Sequence, residues 1–149
     1  MKTFEELIQL AIRHELIEAA FYEDLAQRSQ SEDQRDALLA HAREEMEHKR
    51  HLERILDQGR LPRLKRFPSE DLHLSEYAVV SDDPEKSLDY ESSLLLAAKK
   101  EKATQAFYLS LAREVGDSEV RDVLEFLARQ EGNHARKLEA QYDDTLKEG

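Results

Sequence analysis

The segment RDALLAHAREEMEHKRHLE, residues 35–53, decides the fold because a second copy of it occurs later in the chain. An offset of 86 residues places it on RDVLEFLARQEGNHARKLE, residues 121–139. The same offset places the upstream segment AIRHELIEAAFYEDLA on AAKKEKATQAFYLSLA. Over residues 11–53 and 97–139, 17 of 43 positions are identical without a gap. This similarity indicates an internal duplication of one structural unit.

Apolar residues recur at helical spacing through four segments of the chain. Short turns join the first two predicted helices and the last two, so each pair is expected to form an antiparallel hairpin. The stretch between the pairs, about 59–83, is long enough to run the length of a helix. The predicted helices run from about Thr3 to Arg28, from about Glu32 to Gln58, from just after Asp82-Asp83-Pro84 to near Gly116, and from about Ser118 to Tyr142.

These elements predict an all-α four-helix bundle in a single domain, residues 1–149. Hairpin 1 covers about 3–58 and hairpin 2 about 84–142, and a long crossover joins them. Helix starts are marked by Thr3 followed by Glu6 and by Ser31 followed by Gln34, since such pairs cap helices.

The composition restricts the classes of function. The chain has no cysteine, which excludes thiolate metal sites, iron–sulfur clusters and cysteine nucleophiles. A net charge of −11 argues against nucleic acid and anionic membranes as partners. No signal peptide or apolar run of membrane-spanning length is visible, so a cytoplasmic protein is expected.

The residues that could carry chemistry lie among the repeated positions. Inward-facing positions of hairpin 1 recur in hairpin 2 as four identical pairs: Glu15 with Glu101, Tyr22 with Tyr108, Glu45 with Glu131, and His48 with His134. Other polar residues of the second predicted helix, Glu44, Glu47, His41 and His51, are not repeated.

Helical geometry selects among these residues independently of the repeat. At ~100° per residue, Glu45 lies in line with the apolar stripe of its helix and His48 lies about 60° to one side. Glu44, Glu47 and His51 are therefore expected on the solvated face. His41 points in nearly the same direction as His48, two turns away.

Four carboxylates in a bundle core require compensation, because buried uncompensated charges are costly and repel one another. Four carboxylates and two neutral imidazoles carry a charge that two divalent cations would cancel. The Glu-x-x-His spacing of Glu45 with His48 and of Glu131 with His134 places both side chains on one helix face. The pattern therefore predicts a dinuclear metal site.

Nearly the whole chain resembles the rubrerythrin branch of the ferritin-like superfamily. The resemblance is strongest in EKATQAFYLSLA and in LARQEGNHARKLE. It implies a ferritin-like four-helix bundle with two iron ions. It also implies hydrogen bonds from Tyr22 and Tyr108 to ligand glutamates. The implied metal ligands are Glu15, Glu45, His48, Glu101, Glu131 and His134.

The chain departs from rubrerythrins at two points. It lacks the four cysteines of their rubredoxin-like domain, so a separate redox protein is expected to donate electrons. Thr104 replaces an additional glutamate that rubrerythrins have three residues after the third-helix ligand, whereas the repeat counterpart of Thr104 is Glu18. Glu18 is therefore a candidate seventh ligand; alternatively it contacts a ligand or lies at the hairpin interface.

Three functions follow from the resemblance. The first is a peroxidase or ferroxidase in which a di-iron centre reacts with H2O2 or O2 and serves in oxidative stress or iron handling. The second is a ferritin-type protein for iron storage or delivery. The third is a catalase with manganese in place of iron, since carboxylate-rich sites accept either metal.

Several residues receive simpler predictions. His41 is expected to contact a ligand, to line a path for the metal, or to be a partly buried histidine with satisfied hydrogen bonds. His14 and His73 are expected at the surface. Phe4 and Leu39 are expected to be exposed, which favours a homodimer.

Overall fold

The computed structural model describes residues 2–59, 66–67 and 89–148. Four helices dominate these residues: α1 (Phe4–Arg28), α2 (Glu32–Gln58), α3 (Tyr90–Glu114) and α4 (Ser118–Glu148). Two-residue strands β1 (Lys2–Thr3) and β2 (Arg66–Phe67) pair antiparallel beside the start of α1. The prediction of an all-α four-helix bundle is confirmed.

Side-chain caps define where the helices begin. The backbone N–H groups of Glu6 and Gln34 donate to the hydroxyls of Thr3 and Ser31, as the sequence predicts. Asp117 accepts hydrogen bonds from the first turn of α4. At the end of α2, Gly59 takes a left-handed conformation with φ 63°, which a residue without a Cβ adopts at no steric cost.

The helices pack as two hairpins, α1 with α2 and α3 with α4. Across the hairpins α1 faces α3 and α2 faces α4. The contacts between α1 and α3 run in opposite order along the two helices: Glu15 meets Tyr108, and Tyr22 meets Glu101. The two helices are therefore antiparallel, and the repeated positions of one hairpin face those of the other.

Two apolar clusters fill the bundle, one toward each end. Phe4, Leu52 and Phe107 belong to one cluster, and Leu25, Leu38 and Leu94 belong to the other. The repeated glutamates and histidines lie between them, buried in the middle of the bundle. The apolar clusters thus exclude water from a polar layer that four helices build together.

Some boundaries differ from the sequence predictions. The third helix was expected to begin just after Pro84, but the N-cap of α3 is Asp89, whose extended backbone precedes Tyr90; residues 84–88 lie outside the described residues. Helix α4 continues six residues beyond the predicted end at Tyr142. The domain bounds and the course of the 59–83 crossover stay predictions, since most of that segment is outside the described residues.

The prediction that Phe4 is exposed is wrong. Its side chain is fully buried in the first apolar cluster, because Phe4 opens α1 on the inward face. Leu39 is only partly exposed and packs against the second cluster. Among the described helices, none has the length and hydropathy needed to cross a bilayer.

Candidate metal centre

Each of the four helices contributes to one buried polar layer. Helices α1 and α3 contribute one glutamate each, and α2 and α4 contribute a glutamate and a histidine each, three residues apart. All of these side chains are at most 3% exposed. The six residues are Glu15, Glu45, His48, Glu101, Glu131 and His134.

The side chains form two overlapping groups, here called the ligand groups, that could each hold a metal ion. One group is Glu15, Glu45, His48 and Glu131, and the other is Glu45, Glu101, Glu131 and His134. Within each group one potential ligand atom per residue lies within 4.8 Å of all the others. Glu45 and Glu131 belong to both groups, so their carboxylates could bridge two cations.

Both histidines direct Nδ1 toward the carboxylates. His48 Nδ1 lies 2.8 Å from Glu131 Oε1 and 3.7 Å from Glu15 Oε2. His134 Nδ1 lies 2.9 Å from Glu45 Oε1 and 3.8 Å from Glu101 Oε2. Each histidine therefore lies near one carboxylate of the other hairpin and one carboxylate of its own hairpin.

Many of the converging atoms have no hydrogen-bond partner among the described residues. These atoms are Glu15 Oε2, Glu45 Oε2, Glu101 Oε2 and Glu131 Oε2. Buried oxygen atoms without a donor are unfavourable unless a cation satisfies them. Hard carboxylate oxygens with imidazole nitrogens suit iron or manganese, so the residues fit a pair of divalent transition metals.

The electrostatics of the layer show how strongly these groups interact. Burial would raise the pKa of Glu15, but its contacts with Glu45 and His48 lower it to about 2. Burial, followed by the charges of Glu101 and Glu15, raises the pKa of Glu45 well above its usual range. Burial would lower the pKa of His134, but carboxylates, including Glu101, raise it to about 9. Protons held by Glu45 and His134 therefore compensate part of the negative charge of the buried carboxylates.

Two tyrosines link the hairpins at this layer. The Tyr22 hydroxyl donates a hydrogen bond to Glu101, and the Tyr108 hydroxyl donates one to Glu15. Both tyrosines are fully buried. The hydrogen bonds from Tyr22 and Tyr108 to ligand glutamates that the resemblance implies are therefore present, and each crosses from one hairpin to the other.

The sequence model of the rubrerythrin family matches residues 6–142 of this chain. The chain belongs to the rubrerythrin family. No match to an individual curated protein or to a solved structure accompanies this family match. The match covers both hairpins and all six predicted metal ligands, so the ferritin-like fold and the buried carboxylate–histidine layer agree with membership of the rubrerythrin family.

The structure brings together all six residues that the rubrerythrin resemblance implies; their binding of metal stays a prediction. Glu18 is buried but belongs to neither ligand group. It lies between α1 and α3, with Oε1 3.9 Å from Lys100 Nζ. This position agrees with the alternative in which Glu18 is a residue of the hairpin interface.

His41 contacts the centre at one side. It is 3% exposed, and its ring centroid lies 4.4 Å from that of His134 and 5.2 Å from that of Tyr22. Neither ring nitrogen has a hydrogen-bond partner among the described residues, so His41 is not the satisfied histidine considered from sequence. Burial lowers the pKa of His41 to about 3, so the ring is neutral.

The prediction that Glu44 is a solvated surface residue holds only in part. Its carboxylate hydrogen-bonds Nε2 of His134, the nitrogen that faces away from the layer, and its side chain is 36% exposed. His51 is also partly buried, with its ring 5.8 Å from that of Phe126. Glu47 is exposed as predicted. A helical wheel of α2 alone could not find the Glu44 contact, because the partner lies on α4.

The prediction that His14 lies at the surface is also wrong. His14 is 1% exposed, and its Nε2 lies 2.9 Å from Thr104 Oγ1 on α3. Lys100, which the sequence analysis did not single out, is 2% exposed. The offset of 86 residues pairs His14 with Lys100, and each directly precedes a repeated glutamate. This recurrence of a polar residue before Glu15 and Glu101 is the sequence signal that could have identified the two buried side chains. His73 lies outside the described residues.

Proposed function

We propose that the chain is a non-haem di-iron oxidoreductase, a rubrerythrin-like peroxidase or ferroxidase. The observation that carries this proposal is the pair of buried ligand groups that share Glu45 and Glu131. Bound iron would supply the redox chemistry, by passing electrons from Fe(II) to H2O2 or O2.

The protein residues have their own tasks in this proposal. The six side chains would hold two iron ions, with manganese as the alternative metal. Tyr22 and Tyr108 orient Glu101 and Glu15 through hydrogen bonds, which keeps the carboxylates in place. The apolar clusters on either side exclude bulk water from the reaction.

The test is an anaerobic Fe(II) titration followed by addition of H2O2 or O2. The proposal expects two Fe(II) per chain and several turnovers of oxidation, followed by ferric absorbance. Glu15→Ala and His134→Ala should abolish the reaction, whereas Glu47→Ala should not, because Glu47 is an exposed glutamate of α2.

Other outcomes identify the alternatives. Peroxide-dependent oxidation that persists in Glu15→Ala or His134→Ala would rule out the proposed centre. Uptake of many iron ions per assembly, with only slow oxidation, would support storage or delivery instead. Release of O2 from H2O2 only after loading with manganese would support a catalase.

The partners in this proposal are an oxidant, H2O2 or O2, and a separate redox protein as electron donor. Nucleic acid and membranes are not proposed as partners, in view of the net charge of −11. A cytoplasmic location and a homodimer are proposed as well. Leu16 and Leu95 are exposed apolar residues that a dimer could cover, and the mass in solution tests this.

A further inference from the structure

Four polar residues lie buried between α1 and α3 beside the candidate metal centre, outside both ligand groups. They are His14 and Glu18 of α1 and Lys100 and Thr104 of α3, here called the α1–α3 quartet. Each is at most 2% exposed. The repeat offset pairs His14 with Lys100 and Glu18 with Thr104, so the quartet occupies two equivalent pairs of positions in the duplicated hairpins.

The quartet pairs across the hairpins. His14 Nε2 lies 2.9 Å from Thr104 Oγ1, and Lys100 Nζ lies 3.9 Å from Glu18 Oε1. The Thr104 hydroxyl donates to the backbone carbonyl of Lys100 at 2.9 Å, so it accepts from His14. Equivalent positions thus carry a histidine–threonine pair on one side and a lysine–glutamate pair on the other.

The lysine–glutamate pair is the unusual half of the quartet, since lysine and glutamate are rarely buried unless they are paired. The Lys100 ammonium lies 4.9 Å from the centre of the Phe21 ring. Neither oxygen of Glu18 has a hydrogen-bond partner among the described residues. Nε2 of His14 also lies 3.7 Å from Glu18 Oε1, but its hydrogen bond is to the Thr104 hydroxyl at 2.9 Å, so Lys100 is the cationic side chain that Glu18 meets across the hairpins.

The proposed metal ions and the Lys100 ammonium would neutralise the charges of different carboxylates. Two divalent metals would neutralise the four carboxylates of the ligand groups, and they would leave the charge of Glu18 uncompensated. The ammonium of Lys100 supplies that missing charge. Burial and the charges of Glu101 and Glu15 raise the pKa of Glu18 well above its usual range, whereas the charge of Lys100 acts to lower it. Glu18 belongs to neither ligand group.

We propose that Lys100 is a positioning residue whose ammonium group holds the Glu18 carboxylate outside the ligand set of the metal centre. This inference rests on the proposed metal centre. Without the ammonium, Glu18 would be an uncompensated carboxylate in the core, and the bound metals would be the cations within its reach. Replacing Lys100 by an apolar residue should therefore convert Glu18 into a ligand.

The experiment uses Co(II) as the probe, because its visible absorption changes with coordination number and ligand set. The full chain is compared with Glu18→Gln, Lys100→Met and the Lys100→Met/Glu18→Gln double variant. We expect the wild type, Glu18→Gln and the double variant to share one spectrum and similar Co(II) affinities. Lys100→Met alone should show a different spectrum and at least tenfold tighter binding of one of the two Co(II) ions.

Two results would overturn the inference. One is a changed Co(II) spectrum in Glu18→Gln, since Glu18 would then ligate even with Lys100 in place. The other is a Lys100→Met variant whose spectrum matches the wild type. If Lys100→Met does not fold, Lys100→Gln, which also removes the ammonium, takes its place: a changed spectrum supports the inference and an unchanged one refutes it.

The wild-type titration separates this inference from the proposed function. Two Co(II) per chain in the wild type, with no effect of Lys100→Met, would contradict the role of Lys100 and leave the metal centre intact. Fewer than two Co(II) per chain in the wild type would contradict the proposed centre and the inference with it.

Discussion

His134 presents its two ring nitrogens to two different environments. Nδ1 faces the buried carboxylates, whereas Nε2 contacts the half-exposed carboxylate of Glu44. A carboxylate that accepts the outer N–H of a metal-binding histidine fixes its tautomer and its ring orientation. The repeat counterpart of Glu44 is Gln130, which cannot supply the same negative charge, so the two halves of the centre are chemically different.

Glu44→Gln should therefore weaken metal binding without removing a ligand. We expect a loss of about 10- to 100-fold in the affinity for one of two metal ions, the range typical for such supporting residues. Isothermal titration with Mn(II) measures the effect. Glu47→Gln is the matched control, because it makes the same change at an exposed position of α2. Equal affinities in the two variants would show that the Glu44 contact does not orient His134.

The pKa of His134 predicts how the stability of the metal-free protein depends on pH. The folded-state pKa of about 9 lies above the ordinary value of 6.5. The protonated ring therefore stabilises the fold fully below pH 6.5, and this stabilisation is lost as the pH rises through 9. Thermal unfolding in a chelator should show a falling midpoint across that window. His134→Gln should flatten the fall, and an unchanged slope in this variant would contradict the assignment.

Residues on one helix face could be predicted from the sequence, but contacts between helices could not. The repeat selected Glu45 and His48 because both copies preserve them. The burial of Lys100 depends on where α1 passes α3, and the sequence of one helix does not specify that. The contact of Glu44 likewise depends on the approach of α4, which places His134 within reach of a residue on the flank of α2.

At the scale of the helices, capping signals predicted boundaries where they were present. Ser31 and Gly59 bound α2 as the sequence indicated. The start of α3 was misplaced because Pro84 suits the first turn of a helix, whereas the chain uses the side chain of Asp89 as the cap. Pro84 and Asp89 both indicate a possible helix start within a few residues of each other, and the local sequence does not show which of them begins α3.

Helices α3 and α4 approach each other closely at Gly132. A Cβ added there would lie 2.6 Å from Gln105 Nε2. The equivalent positions of hairpin 1 are Met46 and Ala19, so the large and small residues are exchanged between the two copies. Gly132 therefore provides the space that the Gln105 side chain occupies.

Gly132→Ala should show its helix-stabilising effect only when Gln105 is shortened. In the Gln105→Ala background we expect the free energy of unfolding to rise by about 1 kcal/mol, the propensity difference between glycine and alanine. In the wild type the displaced Gln105 side chain should offset this gain. Urea unfolding of the four proteins of this double-mutant cycle measures the coupling. Equal gains in both backgrounds would show that Gln105 does not restrict position 132.

At the scale of the whole molecule, neither hairpin can form the centre alone. Each ligand group takes residues from both hairpins, and each tyrosine bonds a glutamate of the opposite hairpin. Duplication thus produced two similar units whose polar stripes complete each other. The buried carboxylates destabilise the assembled bundle until protons or cations compensate them, so we expect metal binding to be coupled to folding.

Metal binding should therefore stabilise the entire bundle in one cooperative transition. With free Fe(II) at 100 times the dissociation constant, linkage predicts about 2.7 kcal/mol of added stability per site. Anaerobic thermal unfolding with and without Fe(II) measures this gain, and near- and far-ultraviolet circular dichroism should report the same midpoint. His134→Ala removes a ligand, so its midpoint should respond much less to Fe(II), whereas Glu47→Ala should respond as the wild type does. A rise in midpoint that His134→Ala retains in full would place the stabilising metal elsewhere on the chain.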